Sequence, residues 1–344
     1  MMRKKTSLAF PGSWFWRSVV LIPTLVLLAG LLPVGCKKPA PEEIIFRYQF
    51  QPGEILLYRV SLSGEGAVEM TMGKAGEEEG EGNISLPVRL EGSYLMEVQV
   101  EEVSPGGEAR LSLSYRDFDL TSVNRVRERE MTSRLTDWSL VILEGERKIK
   151  EIQSGDAHYP LQGIVGEKFG FRVDNRGTIL EVRTPPAPER LFPSLQFESF
   201  LERMQPEFPR EPVLVGSSWT RAVSVPGPGL GRNWGRGERW TVEIDSAFSG
   251  FVGRGDRVAR IEFSGEFRQE SPVPETESRS GPRGSFHSLQ GSCEFDRVAG
   301  RFLSSRSTLR QKLDLRIAFD QVLRGREIDI RVDDTMEVVI KLQQ

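Results

Sequence analysis

The sequence predicts a mostly β protein made of duplicated antiparallel sheet units, forming a curved half-barrel or a sandwich with one central amphipathic helix. Three observations lead there. In "STLRQKLDLRIAFD" the apolar residues Leu309, Leu313, Leu315, Ile317 and Phe319 alternate with charged ones, and "EIDIRVDDTMEVVIKL" repeats the pattern with Ile328, Ile330, Val332, Met336, Val338, Ile340 and Leu342. A period of two is that of a half-buried strand, so these runs read as a long hairpin turning near Gly325. Similar alternation recurs in "YLMEVQVEEV", "ARLSLSY", "WTVEIDSAF" and "RVARIEF", separated by the Gly- and Pro-rich stretches "GKAGEEEGEGN", "PGPGLGRNWGRG" and "SPVPETESRSGPRG", which read as loops. Third, the order of elements repeats along the chain.

The N-terminus reads as an export leader. Arg3, Lys4 and Lys5 precede the uncharged run "SVVLIPTLVLLAGLL", the basic and apolar regions of a secretory signal. A spanning helix needs about 20 apolar residues, and Pro23 and Gly30 interrupt this slightly short run. Val34, Gly35 and Cys36 resemble a bacterial lipobox, with Pro33 where Leu is usual. On that reading residues 1–35 are removed and Cys36 is lipidated, each buried acyl CH₂ contributing roughly 0.8 kcal/mol to anchoring in the membrane. An ordinary signal peptide or an uncleaved anchor are the alternatives. Residues 36–43, "CKKPAPEE", form a polar, proline-stiffened tether.

Removing 35 of the 344 residues leaves 309, enough for one large β domain or two ordinary ones. Without Arg3, Lys4, Lys5 and Arg17 the 46 basic side chains become 42 against 49 acidic ones. Nothing in that balance favours nucleic acid. With Cys36 lipidated, Cys293 has no partner within the chain, and its setting in "QGSCEFD" reads as a buried thiol on a strand.

The first β unit spans 44–188 and the second 207–344. "QPGEILLYRVSL" matches "LVGSSWTRAVSV", pairing Gly53 with Gly216, and "NRGTILEV" matches "VAGRFLSS", pairing Gly177 with Gly300. Those glycines are 124 residues apart in the first unit and 84 in the second, which places an insertion near residues 120–159. Between the units, Leu191, Leu195, Phe200, Leu201 and Met204 fall near helical spacing, predicting an amphipathic helix over 189–206 ended by Pro206. One helix cannot cover the apolar faces of so many strands, so a second sheet or curling must do so, and curling leaves a hollow.

Motifs for catalysis are missing from the sequence. It has no G-x-S-x-G elbow, phosphate loop, H-E-x-x-H or EF-hand loop, and His158 and His287 lack metal-ligand spacing. Neither cofactor nor metal is expected, and the chain reads as non-enzymatic; a carboxylate pair acting as a hydrolase site stays open, since its separation is visible only in three dimensions. Asp334 alone breaks the apolar face of the last strand, either through a register shift or as a polar residue lining a cavity. Trp234, in a Gly-rich loop beside Arg232 and Arg236, either meets a partner, glycan or membrane or folds back on its own sheet. The expected ligand-binding residues are Trp234 and a hollow lined by Leu313, Ile317, Val338 and Ile340.

The lipobox, "FRYQFQPGEILLYRV", the central helix with "FPREPVLVGSSWT" after it, and "DNRGTILEV" together resemble a family of uncharacterised bacterial envelope lipoproteins. That resemblance implies location and fold rather than an activity. An antiparallel sheet with a packed helix is also similar to the half-barrel carriers of lipids and lipoproteins in the periplasm. Lys37 after the cysteine, rather than Asp, fits the outer membrane. The expectation is thus a lipid-anchored protein facing the periplasm that binds an apolar ligand or an envelope protein, with a purely structural lipoprotein as the alternative.

Overall fold

The computed structural model describes residues 42–74, 82–126, 129–183, 206–226, 239–269, 281–319 and 326–343. These contain fourteen strands: β1 (Ile55–Lys74), β2 (Gly82–Val103), β3 (Ala109–Val126), β4 (Arg129–Thr136), β5 (Ser139–Glu144), β6 (Arg147–Gln153), β7 (Phe169–Val173), β8 (Ile179–Arg183), β9 (Ser218–Pro226), β10 (Arg239–Val252), β11 (Val258–Gln269), β12 (Gly281–Asp296), β13 (Arg301–Phe319) and β14 (Arg326–Leu342). No helix occurs among the described residues. The helix expected over 189–206 lies outside them except for Pro206.

All fourteen strands join one open sheet in the order β6-β5-β4-β3-β2-β1-β14-β13-β12-β11-β10-β9. One edge of β3 is shared between two hairpins. Its first half pairs with β7, which carries β8, and its second half pairs with β4. The change of partner falls at Asp117, which has a positive φ of 55°. There the Asp137 carboxylate accepts hydrogen bonds from the backbone N–H groups of Asp117 (2.8 Å) and Phe118 (2.6 Å), holding an extra residue out of the ladder.

The predicted pairing of the last two long runs is present as β13–β14, from Ser304↔Lys341 to Phe319↔Arg326. Strands also run into stretches expected to be loops. Gly73 and Lys74 close β1, Gly82 opens β2, and residues 281–284 belong to β12, where Pro282 coincides with a register shift because it has no N–H for the ladder.

The sheet is strongly curved. β3 and β13 are four strands apart, about 19 Å if the sheet were flat. Yet Leu111 of β3 and Phe302 of β13 line one small cavity. Two irregular segments fill the concave side, residues 42–50 before β1 and 206–217 before β9. They pair with each other at Ile44 and Val213, through bonds of 2.9 and 2.8 Å. Further backbone bonds reach the far turns of the sheet: Tyr48 N–H to Asn175 O (2.7 Å), Gln49 N–H to Gly300 O (3.0 Å) and Phe208 N–H to Arg176 O (2.9 Å). Phe46, Phe208, Phe248 and Phe295, each no more than 2% exposed, make the aromatic centre. Every buried residue of the main core lies between Ile44 and Ile340, within the compact unit Glu43–Gln344. A chain that starts at residue 36 therefore keeps every core residue among those described.

Five strands of each half follow the same order of pairing, β1-β2-β3-β7-β8 and β9-β10-β11-β12-β13. The turn glycines also correspond, with φ of 80° and 90° at Gly53 and Gly216, and 93° and 60° at Gly177 and Gly300. Gly177 has a second constraint, since a Cβ there would lie 2.5 Å from the Pro206 carbonyl oxygen and 2.7 Å from Tyr48 Cε2, whereas one on Gly53 would meet nothing within 4 Å. Gly53→Ala should cost about 1 kcal/mol, for backbone strain alone, and Gly177→Ala roughly 2–3 kcal/mol, for strain plus displacement of both inner segments. Equal shifts in urea midpoint would show that the segments are not seated at Gly177.

Candidate ligand face

The structure separates the residues expected to line a hollow. Val338 and Ile340 are packed core residues, 4% and 0% exposed. The cavity beside Ile340, closed by Tyr48, Phe50, Tyr58 and Phe171, holds about 60 Å³, well below the roughly 300 Å³ at which small-molecule pockets begin. Ile340 lines this small cavity and Val338 does not. Residues 42–50 and 206–217 fill the concave side, and their prolines and aromatics gave no periodic signal of it. Leu313 and Ile317 stand farther along β13, in register with Val332 and Ile328 of β14. Cys36 and Trp234 lie outside the described residues.

Beyond the core, β1, β2, β13 and β14 continue together for roughly ten residues, about 30 Å of strand. The register aligns Val68 with Leu86 and Val332, Met70 with Ile84 and Ile330, and Gly64 with Leu90 and Met336. All share the face of Tyr58 and Val60, because side chains alternate with period two. Val68, Met70, Leu86, Leu90, Val332 and Ile330 are half-buried, Ile84 is 40% exposed, and none belongs to either buried core cluster. The opposite face is charged and paired: Lys312 with Asp333 at 3.1 Å, and Arg331 with Asp314 at 2.9 Å. This half of the strands is therefore apolar on its concave side without being core.

One polar row crosses that face. Asp334 lies between Gly66 of β1 and Gln311 of β13, and the row continues through Val88 to Asn124. Pairing runs unshifted through Asp334 on both sides, so the register-shift reading is overturned and Asp334 projects from the apolar face. Gly66 makes this possible, since a Cβ there would lie 2.6 Å from both the Asp333 carbonyl oxygen and Asp334 Cβ. Burial, and secondarily the negative charge of Asp333, raise the Asp334 carboxyl pKa above the ordinary range. Asn124 Oδ1 is buried without a hydrogen-bond partner.

Other chemistry-bearing residues are placed as follows. Cys293 is buried and free, its thiol pushed up to about 12 chiefly by burial, which makes it inert. His158 is exposed, with Nδ1 3.0 Å from Asp156 Oδ1. Trp219 is anchored by its indole N–H, which donates to Glu207 O at 2.8 Å, whereas Trp138 is 72% exposed in the β4–β5 turn. Among the described residues no group of three or more His, Cys, Asp or Glu side chains can hold a metal ion.

The face on β1 and β2 was readable in part. Ile84, Leu86, Val88 and Leu90 alternate cleanly, but Pro87 argues against a central strand, and Gly64 and Gly66 hide the period in β1.

No family model matches the chain, and no curated protein does. A solved structure, that of Pseudomonas aeruginosa OccK11 (OpdR), is similar at 12% identity over 87% of this chain and 99% of that chain. Its TM-score of 0.12 carries no argument about fold or function.

Proposed function

We propose that the chain is a lipid-anchored, non-enzymatic protein of the bacterial cell envelope, held by Cys36 at the outer membrane on its periplasmic side, that binds an apolar ligand. Its ligand lies on the concave face of the projecting strands. The observation that carries this reading is the apolar surface on β1, β2 and β14, half-buried and outside the core, while ion pairs such as Lys312 with Asp333 and Arg331 with Asp314 stand on the opposite face. Contiguous apolar surface of this kind marks a binding site in proteins that work in water. Membership of the envelope lipoprotein family belongs to the same proposal, as does descent of the two five-strand sets from one duplicated unit, supported by their common pairing order and turn glycines.

The test is native mass spectrometry of the mature chain with Cys36→Ser, purified without detergent, followed by organic extraction. A stoichiometric apolar adduct released on unfolding is expected. A second reading, a structural lipoprotein with no ligand, is favoured by the filled core and its 60 Å³ cavity. A bare mass that persists after incubation with envelope lipids would establish that alternative and turn the search to an envelope protein as partner.

A further inference from the structure

We infer that the apolar face selects an amphiphile whose head carries an ammonium group, received by Asp334 and Gln311 with its tail along the strands beyond them. This deepens the ligand reading above and rests on it. Asp334 is the one carboxylate among the described residues on the apolar face of β14, and no described side chain hydrogen-bonds or ion-pairs with it. Its neighbours across the ladders are a glycine and the amide of Gln311, which has no described side-chain partner either.

A half-buried carboxylate bounded by apolar rows is costly unless a donor meets it, and a cation meets it best. Cations on the opposite face are already taken, Lys312 by Asp333 and Arg331 by Asp314, and the pleat holds them away from Asp334. Gln311, directly beside Asp334, offers a carbonyl oxygen to a second ammonium hydrogen. From Asp334 to the start of β14 at Arg326 run eight residues, about 27 Å of strand, along which an alkyl tail can lie extended. The deep side of Asp334 is closed by Met336 and the packed Val338, so the head sits inward and the tail points to the rim.

The experiment compares dodecylamine, dodecanol and dodecanoate, three ligands with one tail, as displacers of the apolar dye N-phenyl-1-naphthylamine near neutral pH. It uses the mature Cys36→Ser chain with and without Asp334→Asn. The exchange is isosteric and removes a half-buried charge, so folding is preserved. The parent chain should prefer dodecylamine over dodecanoate by about tenfold, and Asp334→Asn should abolish that preference while dodecanol binds both forms alike. Equal binding of the three ligands by the parent chain, or a preference that survives Asp334→Asn, overturns the head-group inference and leaves an apolar ligand site standing. Failure of the dye and all three ligands to bind overturns both.

Discussion

Replacing Phe208 by alanine should lower the free energy of unfolding by about 3–5 kcal/mol, the range for removing a fully buried phenyl ring. Phe208 is 1% exposed, with ring centroids 4.7 Å from Phe295, 5.0 Å from Phe46 and 5.6 Å from Tyr48. Its segment is poorly suited to a ladder, because Pro206, Pro209 and Pro212 remove three N–H donors in seven residues. Side chains satisfy its carbonyls instead: Tyr48 Oη donates to Pro206 O at 3.0 Å, Trp219 Nε1 to Glu207 O at 2.8 Å, and Arg47 Nη1 to Pro209 O at 3.2 Å. With so few backbone bonds, the rings must hold the segment in place. Losing Phe208 opens a cavity among Phe46, Tyr48 and Phe295 and loosens both inner segments at once. Trp138→Ala, at an exposed turn, should change stability by no more than about 0.5 kcal/mol. Urea unfolding of the two variants decides the matter; a loss under about 1 kcal/mol for Phe208→Ala would mean that the segment is not part of the cooperative core.

That arrangement marks the boundary of what the sequence discloses. Alternation along β13 and β14 was legible because period two is a local property, and it places Leu309, Val332 and Met336 on one face without knowledge of the partner strands. The role of residues 42–50 and 206–217 was hidden, because contacts such as Tyr48 with Phe295, or Arg47 with Pro209, join positions more than 150 residues apart through backbone of no regular period. The same limit explains the ligand face. Val338 and Leu313 look alike in sequence, yet Val338 is packed in the core, whereas Leu313 is in register with Val332, which lies outside both core clusters. Asp334 was visible as a break in the pattern. Only the unshifted pairing with Gly66 and Gln311 shows that it is a polar side chain on an apolar face rather than a bulge.

The projecting strands permit a separation of binding from folding that the core does not. Val68 and Val332 stand directly opposite each other, half-buried and outside both core clusters. Val68→Lys combined with Val332→Glu replaces two apolar side chains by an oppositely charged cross-strand pair, an exchange worth only about 0.2–1 kcal/mol in either direction. Stability should hardly change, while the apolar face acquires two charges that an alkyl tail would have to desolvate, at several kcal/mol. The expected result is complete loss of the extractable adduct with an unaltered urea midpoint. Thr335→Lys, on the same strand but opposite Glu65 on the outer face, should keep the adduct. Retention of the adduct in the Val68, Val332 double variant would move the ligand elsewhere, and loss in both variants would trace it to a general weakening of β14. Val338→Glu lies only six residues from Val332 on the same face but within the core, at 4% exposed, and should abolish folding together with binding. That contrast along a single strand, one position lethal to the fold and the other only to the adduct, is what a binding face built as an extension of a closed core requires.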